Sequence, residues 1–439
     1  MNSKLCTLLQ EHGNHLCCWH SSQSSLPRSD WAPTVRQQRR RSNRTHASLR
    51  EGAHSRRLVL QTTVVGTVMS QLASMPSPTS AEPSTASSST QQSATGSAPS
   101  QPQLRIIQDR ISFQPSVDAC PQIDITGSKV MQEAPASCRT QDIPVRLYLP
   151  ESRLQGLRSE TDLPPPLVAI FSPGFLVSSE AYDSYLRFLA ASGVPAAVYD
   201  VPQSATDPID DVTCTEILGT VMGWCQGQPQ VQAFLQDRAA LPLATQTART
   251  DSNQEPADIK FMLCGHSRGG KISTLQAALG EQNRRQIAGL ALLDPADASF
   301  EGQGGNPRNP SAAELLGELT ARERLPLLVI GSGRNKDCIP RNSNYESFYK
   351  EAKGDATLIV VKEAGHFVFL DKQTLLQQSA CNLGKADPAS VRAACALSLL
   401  SFANMISSYS LENSGCSAVS FALSWMFESA KLKYEVQTK

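Results

Sequence analysis

A series of short apolar runs, separated by stretches of helix length, does most to limit what this chain can fold into. Leu167-Val-Ala-Ile-Phe171, Ala196-Ala-Val-Tyr199, Ile259-Lys-Phe-Met-Leu-Cys264, Ile287-Ala-Gly-Leu-Ala-Leu-Leu293, Leu327-Leu-Val-Ile330 and Thr357-Leu-Ile-Val-Val361 are nearly continuous in apolar character. Residues 180–191, 211–225, 269–280 and 342–352 lie between them with the composition and length of helices. An antiparallel sheet with one wet face alternates apolar and polar side chains. Unbroken apolar strands are those of a sheet covered on both faces. The alternation predicts an α/β fold: a mostly parallel central sheet with helices on both faces. Pro144-Val-Arg-Leu-Tyr-Leu149 does alternate, as an outer strand would. In open α/β sheets the chemistry sits beyond the carboxyl ends of the strands, so the residues just after each run are the ones to inspect.

The first hundred residues follow different rules. Arg28, Arg36, Arg39, Arg40, Arg41, Arg44, Arg50, Arg56 and Arg57 crowd a stretch whose acids are Glu11, Asp30 and Glu51. Arg-rich, Ser-rich and acid-poor is the composition of an organellar transit peptide, so residues 1–73 are read as an organellar targeting segment. Arg56-Arg57 before the mildly apolar run 58–73 resembles a twin-arginine export signal, which would add a thylakoid-lumen address. A coincidental pair inside a longer transit peptide is the plainer reading. The run itself is too short and polar for a membrane span. Residues 74–103 are almost entirely Ser, Thr, Pro, Ala, Gln and Gly, which bury too little apolar surface to offset chain entropy and predict a disordered linker. The expected catalytic domain is 104–410, followed by a C-terminal extension, 411–439. Lys+Arg and Asp+Glu are both 40, and this balance argues against a nucleic-acid binder working through a basic face.

The strand ends carry the chemistry. Gly265-His266-Ser267-Arg268-Gly269 follows an apolar strand and opens a helix, the placement of a nucleophile elbow. A serine hydroxyl needs a base. Five of the seven histidines (12, 15, 20, 46 and 54) lie in the targeting segment, and His266 adjoins Ser267 on a turn whose side chains diverge. Elimination leaves His366, in Glu363-Ala364-Gly365-His366-Phe367 just after the last strand. The acid stays open on topology. Asp294 ends one strand in Leu293-Asp294-Pro295, and Asp337 follows the next strand, the commoner position for the orienting carboxylate. Asp297 is a weaker third choice, read as a surface or capping residue. Phe171-Ser172-Pro173-Gly174-Phe175 leaves the sheet opposite the elbow. There the N–H of Phe175 could pair with that of Arg268 as an oxyanion hole.

Gly265-His-Ser-Arg-Gly-Gly-Lys271 resembles the chlorophyllase form of the lipase motif. Leu293-Asp-Pro-Ala296, Gly331-Ser-Gly333, Cys338-x-Pro340, Val360-Val-Lys-Glu-Ala-Gly-His366, Phe369-Leu-Asp371, Cys381 and Gly384 resemble further segments of that family. The resemblance covers roughly 105–410. It implies an α/β-hydrolase that cleaves the phytyl ester of chlorophyll to chlorophyllide and phytol. It implies Ser267 as nucleophile, His366 as base and Asp294, over Asp337, as acid. Pro173 stands where plant members usually have His, and the insert near 238–256 and the tail 411–439 lack a clear counterpart.

A phytyl chain needs an apolar groove, and Phe175, Leu176 and Val177 could line one wall. Arg268 and Lys271 could meet polar groups on the propionate side; the plainer reading is solvated or salt-bridged helix residues. Val419–Phe427 reads as a lid, a membrane-leaning helix or, more plainly, a docked helix, so peripheral membrane association stays open. Outside the targeting segment the only histidines are 266 and 366, and no paired-Cys spacing suggests a metal site. No cofactor is expected; any magnesium belongs to the substrate. Cys264 is expected to be buried, and the other cysteines cannot be paired from sequence. Two other functions share these features: a general carboxylesterase or lipase, and a catalytically idle binding module on the same fold.

Overall fold

Leu104–Phe113 (β1) and Gln141–Pro150 (β2) open a nine-stranded sheet whose next six strands fall on the six apolar runs. The computed structural model describes residues 104–116, 139–150, 167–239, 259–298, 307–334, 338–408, 424 and 426–439. The expected targeting segment and linker, Asp337, most of the 238–256 insert, and residues 411–423 lie outside the described residues. The strands continue as Leu167–Ser172 (β3), Ala196–Tyr199 (β4), Lys260–His266 (β5), Ile287–Leu293 (β6), Leu327–Ser332 (β7), Ala356–Val361 (β8) and Tyr434–Thr438 (β9). The helices are Asp183–Ala191 (α1), Asp211–Gly227 (α2), Pro229–Ala239 (α3), Arg268–Leu279 (α4), Ala312–Arg322 (α5), Tyr345–Glu351 (α6), Leu375–Ala380 (α7) and Pro388–Ser408 (α8).

The strand order is β1-β2-β4-β3-β5-β6-β7-β8-β9. Strands β4 to β8 are parallel, β1 and β2 are antiparallel additions at one side, and β9 is an antiparallel addition at the other. This is the α/β-hydrolase fold. Successive side chains along a strand point to opposite faces. On one face Val168, Ile170, Leu263, Leu290, Leu292 and Val329 pack with α2, α4, α5 and α6 into a single apolar cluster. The other face is covered by α1 and α8, whose Phe402 and Ile406 approach Gly289 of β6. Both faces are therefore dry, which accounts for the unbroken apolar runs of β3, β6 and β7. Helix starts are marked by side-chain caps: Asp210 on Thr213 N–H, Ser311 on Glu314 N–H and Asn344 on Glu346 N–H.

The chain leaves β3 toward β4 on one side and returns to β5 on the other, so the order reverses between β3 and β5. That is a topological switch point, where a crevice opens at the carboxyl ends. Ser172 pairs with Gly265 and His266 with Leu293. The chain thus emerges from β3, β5 and β6 at one level.

Two expectations need correction. The alternating strand at 144–149 is not outermost: it lies in β2, flanked by β1 and β4, with Ile143, Val145 and Leu147 buried and Pro144 and Arg146 partly exposed. The C-terminal residues are not merely an extension: β9 pairs with β8, and Met426 and Phe427 are buried. Those two side chains fit the docked-helix reading of the 419–427 stretch for its described part. Helix α8 is long and apolar enough to cross a membrane by composition, with a mean hydropathy of 1.4. It packs instead against β3, β6 and α1, burying Val391, Ala394, Leu397 and Phe402.

Candidate active site

Ser267 sits between β5 and α4 with φ 57° and ψ −127°, a conformation that costs an ordinary residue roughly 1–3 kcal/mol. The turn is held by its neighbours: Ser267 N–H donates to the Leu293 carbonyl at 3.1 Å, and the Ser267 carbonyl accepts from Gly270 and Ala296 N–H. The flanking glycines are needed for space. A Cβ at Gly265 would lie 2.3 Å from the Gly269 carbonyl, and one at Gly269 would lie 2.0 Å from the Ser172 carbonyl oxygen. The second contact shows how tightly the turn after β3 rests on the start of α4.

His366 enters on a single 3-10 turn, His366–Phe369, after β8. Its Nε2 lies 2.9 Å from Ser267 Oγ, and its Nδ1 lies 2.6 Å from Asp294 Oδ2. A carboxylate can only accept, so Nδ1 carries the proton and Nε2 presents a lone pair to the serine O–H. His366 is 2% exposed and Asp294 0%, so water does not compete for this pair. Asp294 follows β6 with φ 43°, and its carboxylate also accepts from Ser332 N–H at 2.8 Å and Ser332 Oγ–H at 2.7 Å. Ser332 ends β7. The strand that topology favoured as acid donor therefore places a serine that holds the carboxylate of the strand before it. The sequence offers no signal for Ser332 beyond its place at a strand end. Asp297 faces elsewhere, capping α5 through Ala312 N–H and Ser311 Oγ.

The loop that carries His366 is braced from behind. Gly365 N–H donates to the Leu383 carbonyl at 3.0 Å, Lys385 N–H donates to the Glu363 carbonyl, and a Cβ at Gly365 would collide with the Asn382 carbonyl. Cys338 and Cys381, the second just before that bracing segment, form a disulfide. Cys264 is buried, as are the free thiols of Cys214, Cys225 and Cys395.

The turn after β3 is closed by Val177 N–H donating to the Gly174 carbonyl at 3.1 Å. Phe175 is half-buried, and its ring lies under the Arg268 guanidinium at 5.6 Å. Leu176 is 44% exposed, which suits a groove wall. Val177, expected beside it, is buried and packs beneath the turn. Arg268 opens α4, so its N–H is among those a helix start leaves without an intrahelical partner.

The side chains of Arg268 and Lys271 are turned inward. Arg268 donates to Asp211 at 2.7 Å, to Gln203 at 2.8 Å and to the Ile209 carbonyl. Lys271 is fully buried, its Nζ 2.7 Å from Asp211 and 3.6 Å from Asp297. Of the sequence readings, salt-bridging describes both; solvation describes neither. Asp211→Ala would leave this buried cation short of its nearest carboxylate. It is expected to cost about 3–5 kcal/mol of stability in urea denaturation. A cost below about 1 kcal/mol would show that the cluster does not hold the elbow helix in place.

His266 points away from Ser267. Its Nε2 lies 2.9 Å from the His366 carbonyl oxygen and its Nδ1 3.1 Å from the Tyr182 hydroxyl. Complete burial, and secondarily the proximity of His366, holds its pKa well below the ordinary histidine value, so the ring is neutral. Among the described residues no group of three or more His, Cys, Asp or Glu is placed to hold a metal ion.

Residues 164–406 match the Chlorophyllase family model. Chlorophyllase-2 of Arabidopsis thaliana is 34% identical over 125 residues, covering 26% of this chain and 38% of the relative. Chlorophyllase type 0 of Chenopodium album is 24% identical over 212 residues, covering 47% of this chain and 56% of the relative. The chain thus spans roughly half or less of these relatives' own lengths. A solved ferulic acid esterase from Streptomyces cinnamoneus is 14% identical, with a TM-score of 0.41, over 78% of this chain and 98% of that one.

Proposed function

This chain belongs to the chlorophyllase family, and from that premise we propose that it is a serine carboxylic ester hydrolase that cleaves the phytyl ester of chlorophyll to chlorophyllide and phytol. The observation that carries the reading is the unbroken relay Ser267 Oγ to His366 Nε2 at 2.9 Å and His366 Nδ1 to Asp294 Oδ2 at 2.6 Å.

Ser267 Oγ attacks the ester carbonyl carbon while its proton passes to His366 Nε2. The carbonyl oxygen takes the negative charge and faces the N–H groups of Arg268 and Phe175, at a helix start whose dipole favours an anion. The intermediate collapses, and the phytyl oxygen leaves with the proton from His366. The porphyrin-side acyl group stays on Ser267 until a water, deprotonated by the same histidine, releases chlorophyllide. Asp294 holds the tautomer this requires and stabilises the imidazolium formed on attack. No cofactor takes part. Phe175 and the exposed Leu176 offer apolar contact to the phytyl chain. A plastid address for residues 1–73 agrees with such a substrate.

A product assay tests the substrate. Full-length protein is given detergent-dispersed chlorophyll and, separately, a long-chain acylglycerol, and chlorophyllide and fatty acid are quantified. We expect kcat/KM to favour chlorophyll by at least about tenfold, the equivalent of roughly 1.4 kcal/mol in transition-state binding. A preference for the acylglycerol would make the protein a general lipase. No turnover of either, together with no labelling by a fluorophosphonate, would make it a binding module.

A further inference from the structure

His266 has the chemistry of a base but no reach to the serine, and its two nitrogens are engaged by groups from two different loops of the site. The His366 carbonyl can only accept, so His266 Nε2 must carry the proton it shares across 2.9 Å. In the neutral ring Nδ1 is then an acceptor, and the Tyr182 O–H 3.1 Å away must be its donor. The Tyr182 oxygen in turn accepts from Gly174 N–H at 3.0 Å. Each donor meets one acceptor in a single direction along the chain, and Tyr182 and His266 are both 0% exposed, so no water substitutes. Burial raises the Tyr182 pKa and lowers that of His266, which keeps both links uncharged.

From this geometry we infer that His266 is a positioning residue for ester hydrolysis, tying the turn that presents Phe175 N–H to the backbone of the proposed base His366. The inference rests on the triad proposed above and adds a requirement to it. Gly174 immediately precedes Phe175, and its missing Cβ would lie 3.3 Å from His266 Nδ1, so the turn and the ring are in direct register. His366 rides on one 3-10 turn rather than on a strand. It is braced from behind by the Leu383 carbonyl and from the elbow side by His266, while Tyr185 O–H holds the far end of the turn at Phe369. Removing the His266 donor leaves the His366 carbonyl buried without that partner and lets the imidazole drift from Ser267. Misplacement by about 1 Å is enough to cost on the order of a hundredfold in rate.

The test uses the full-length protein and p-nitrophenyl butyrate, with Ser267→Ala as the reference. His266→Phe, which keeps the ring volume and removes both polar atoms, is expected to lower kcat about 10- to 100-fold with KM within about threefold. His266→Gln, whose amide can donate to the same carbonyl, is expected to recover most of that loss. Tyr182→Phe removes one oxygen and should lower kcat by a smaller factor. His266→Phe combined with Tyr182→Phe should be no worse than His266→Phe alone, because both break one chain. Unchanged kcat in the single variants, equal losses in the Phe and Gln variants, or losses that multiply would each overturn the inference. Melting temperatures identify a variant that fails to fold; Tyr182→Phe and His266→Gln then decide alone, a normal kcat in Tyr182→Phe overturning the inference. If Ser267→Ala itself turns over the ester, the triad reading has failed. If it is silent while the His266 and Tyr182 variants run normally, only the positioning role has failed.

Discussion

Ser267→Ala is expected to lower ester turnover by about five to six orders of magnitude while leaving the fold intact. The substitution removes one half-buried oxygen at a turn and no core volume. In a triad the members act as a unit, so loss of the serine costs about as much as loss of all three. His366→Ala should be comparably severe, and the pair together no worse than either alone. Steady-state rates on one soluble ester, with melting temperatures alongside, read both effects. Stability should move in a distinct way. Ser267 is held at φ 57°, where a Cβ is strained, and alanine keeps that strain while glycine relieves it. Ser267→Gly should therefore be as inactive as Ser267→Ala but more stable by about 1 kcal/mol. Substantial hydrolysis by either variant would remove Ser267 from the mechanism. Equal stability of the two would mean that the turn stores no strain.

Asp294→Asn is expected to lower turnover about ten thousandfold, equivalent to roughly 5 kcal/mol of barrier. The carboxylate accepts from His366 Nδ1 and from both Ser332 donors. An amide in its place can turn its own N–H toward Nδ1. That favours the tautomer with the proton on Nε2, which has no lone pair left for the serine proton. The geometry is otherwise kept, so KM should change little. Asp337→Asn, at the strand end topology favoured, should cost far less than tenfold. Measuring both at saturating substrate decides between them. A near-normal Asp294→Asn beside a crippled Asp337→Asn would move the acid to the later position and leave the roles of Ser267 and His366 standing.

Much of this architecture was legible because it is written in local patterns. Nearly continuous apolar runs of four to seven residues mark strands buried on both faces, and the core strands lie close to where those runs predict them. An elbow announces itself by glycines at fixed offsets around a serine, because only glycine clears the Ser172 and Gly269 backbones. His366 could be singled out by elimination, since the chain carries few histidines beyond its first sixty residues.

Other features depended on which distant segments meet. Sequence alone left two strand ends able to deliver a carboxylate. Tertiary pairing of β6 with β7 puts Asp294 beside His366 and turns the end of β7 into the Ser332 clamp. The inner position of β2, the closing of the sheet by β9 and the Cys338–Cys381 pairing are long-range choices with no local signature. Lys271 looks like a surface residue in a helix, yet it is buried because Asp211 and Asp297 arrive from other elements to match its charge. His266, next to the serine in sequence, is turned away from it by the pleat of β5 and joined to Tyr182 and to the His366 backbone. By itself the sequence determined the six core strands, the elbow turn and the residues able to do chemistry, because periodicity and backbone sterics act within a few residues. Only the folded chain decided which acid, which cation and which imidazole stand together, because hydrogen bonds and buried charges are satisfied by whatever the packing brings within 3 Å.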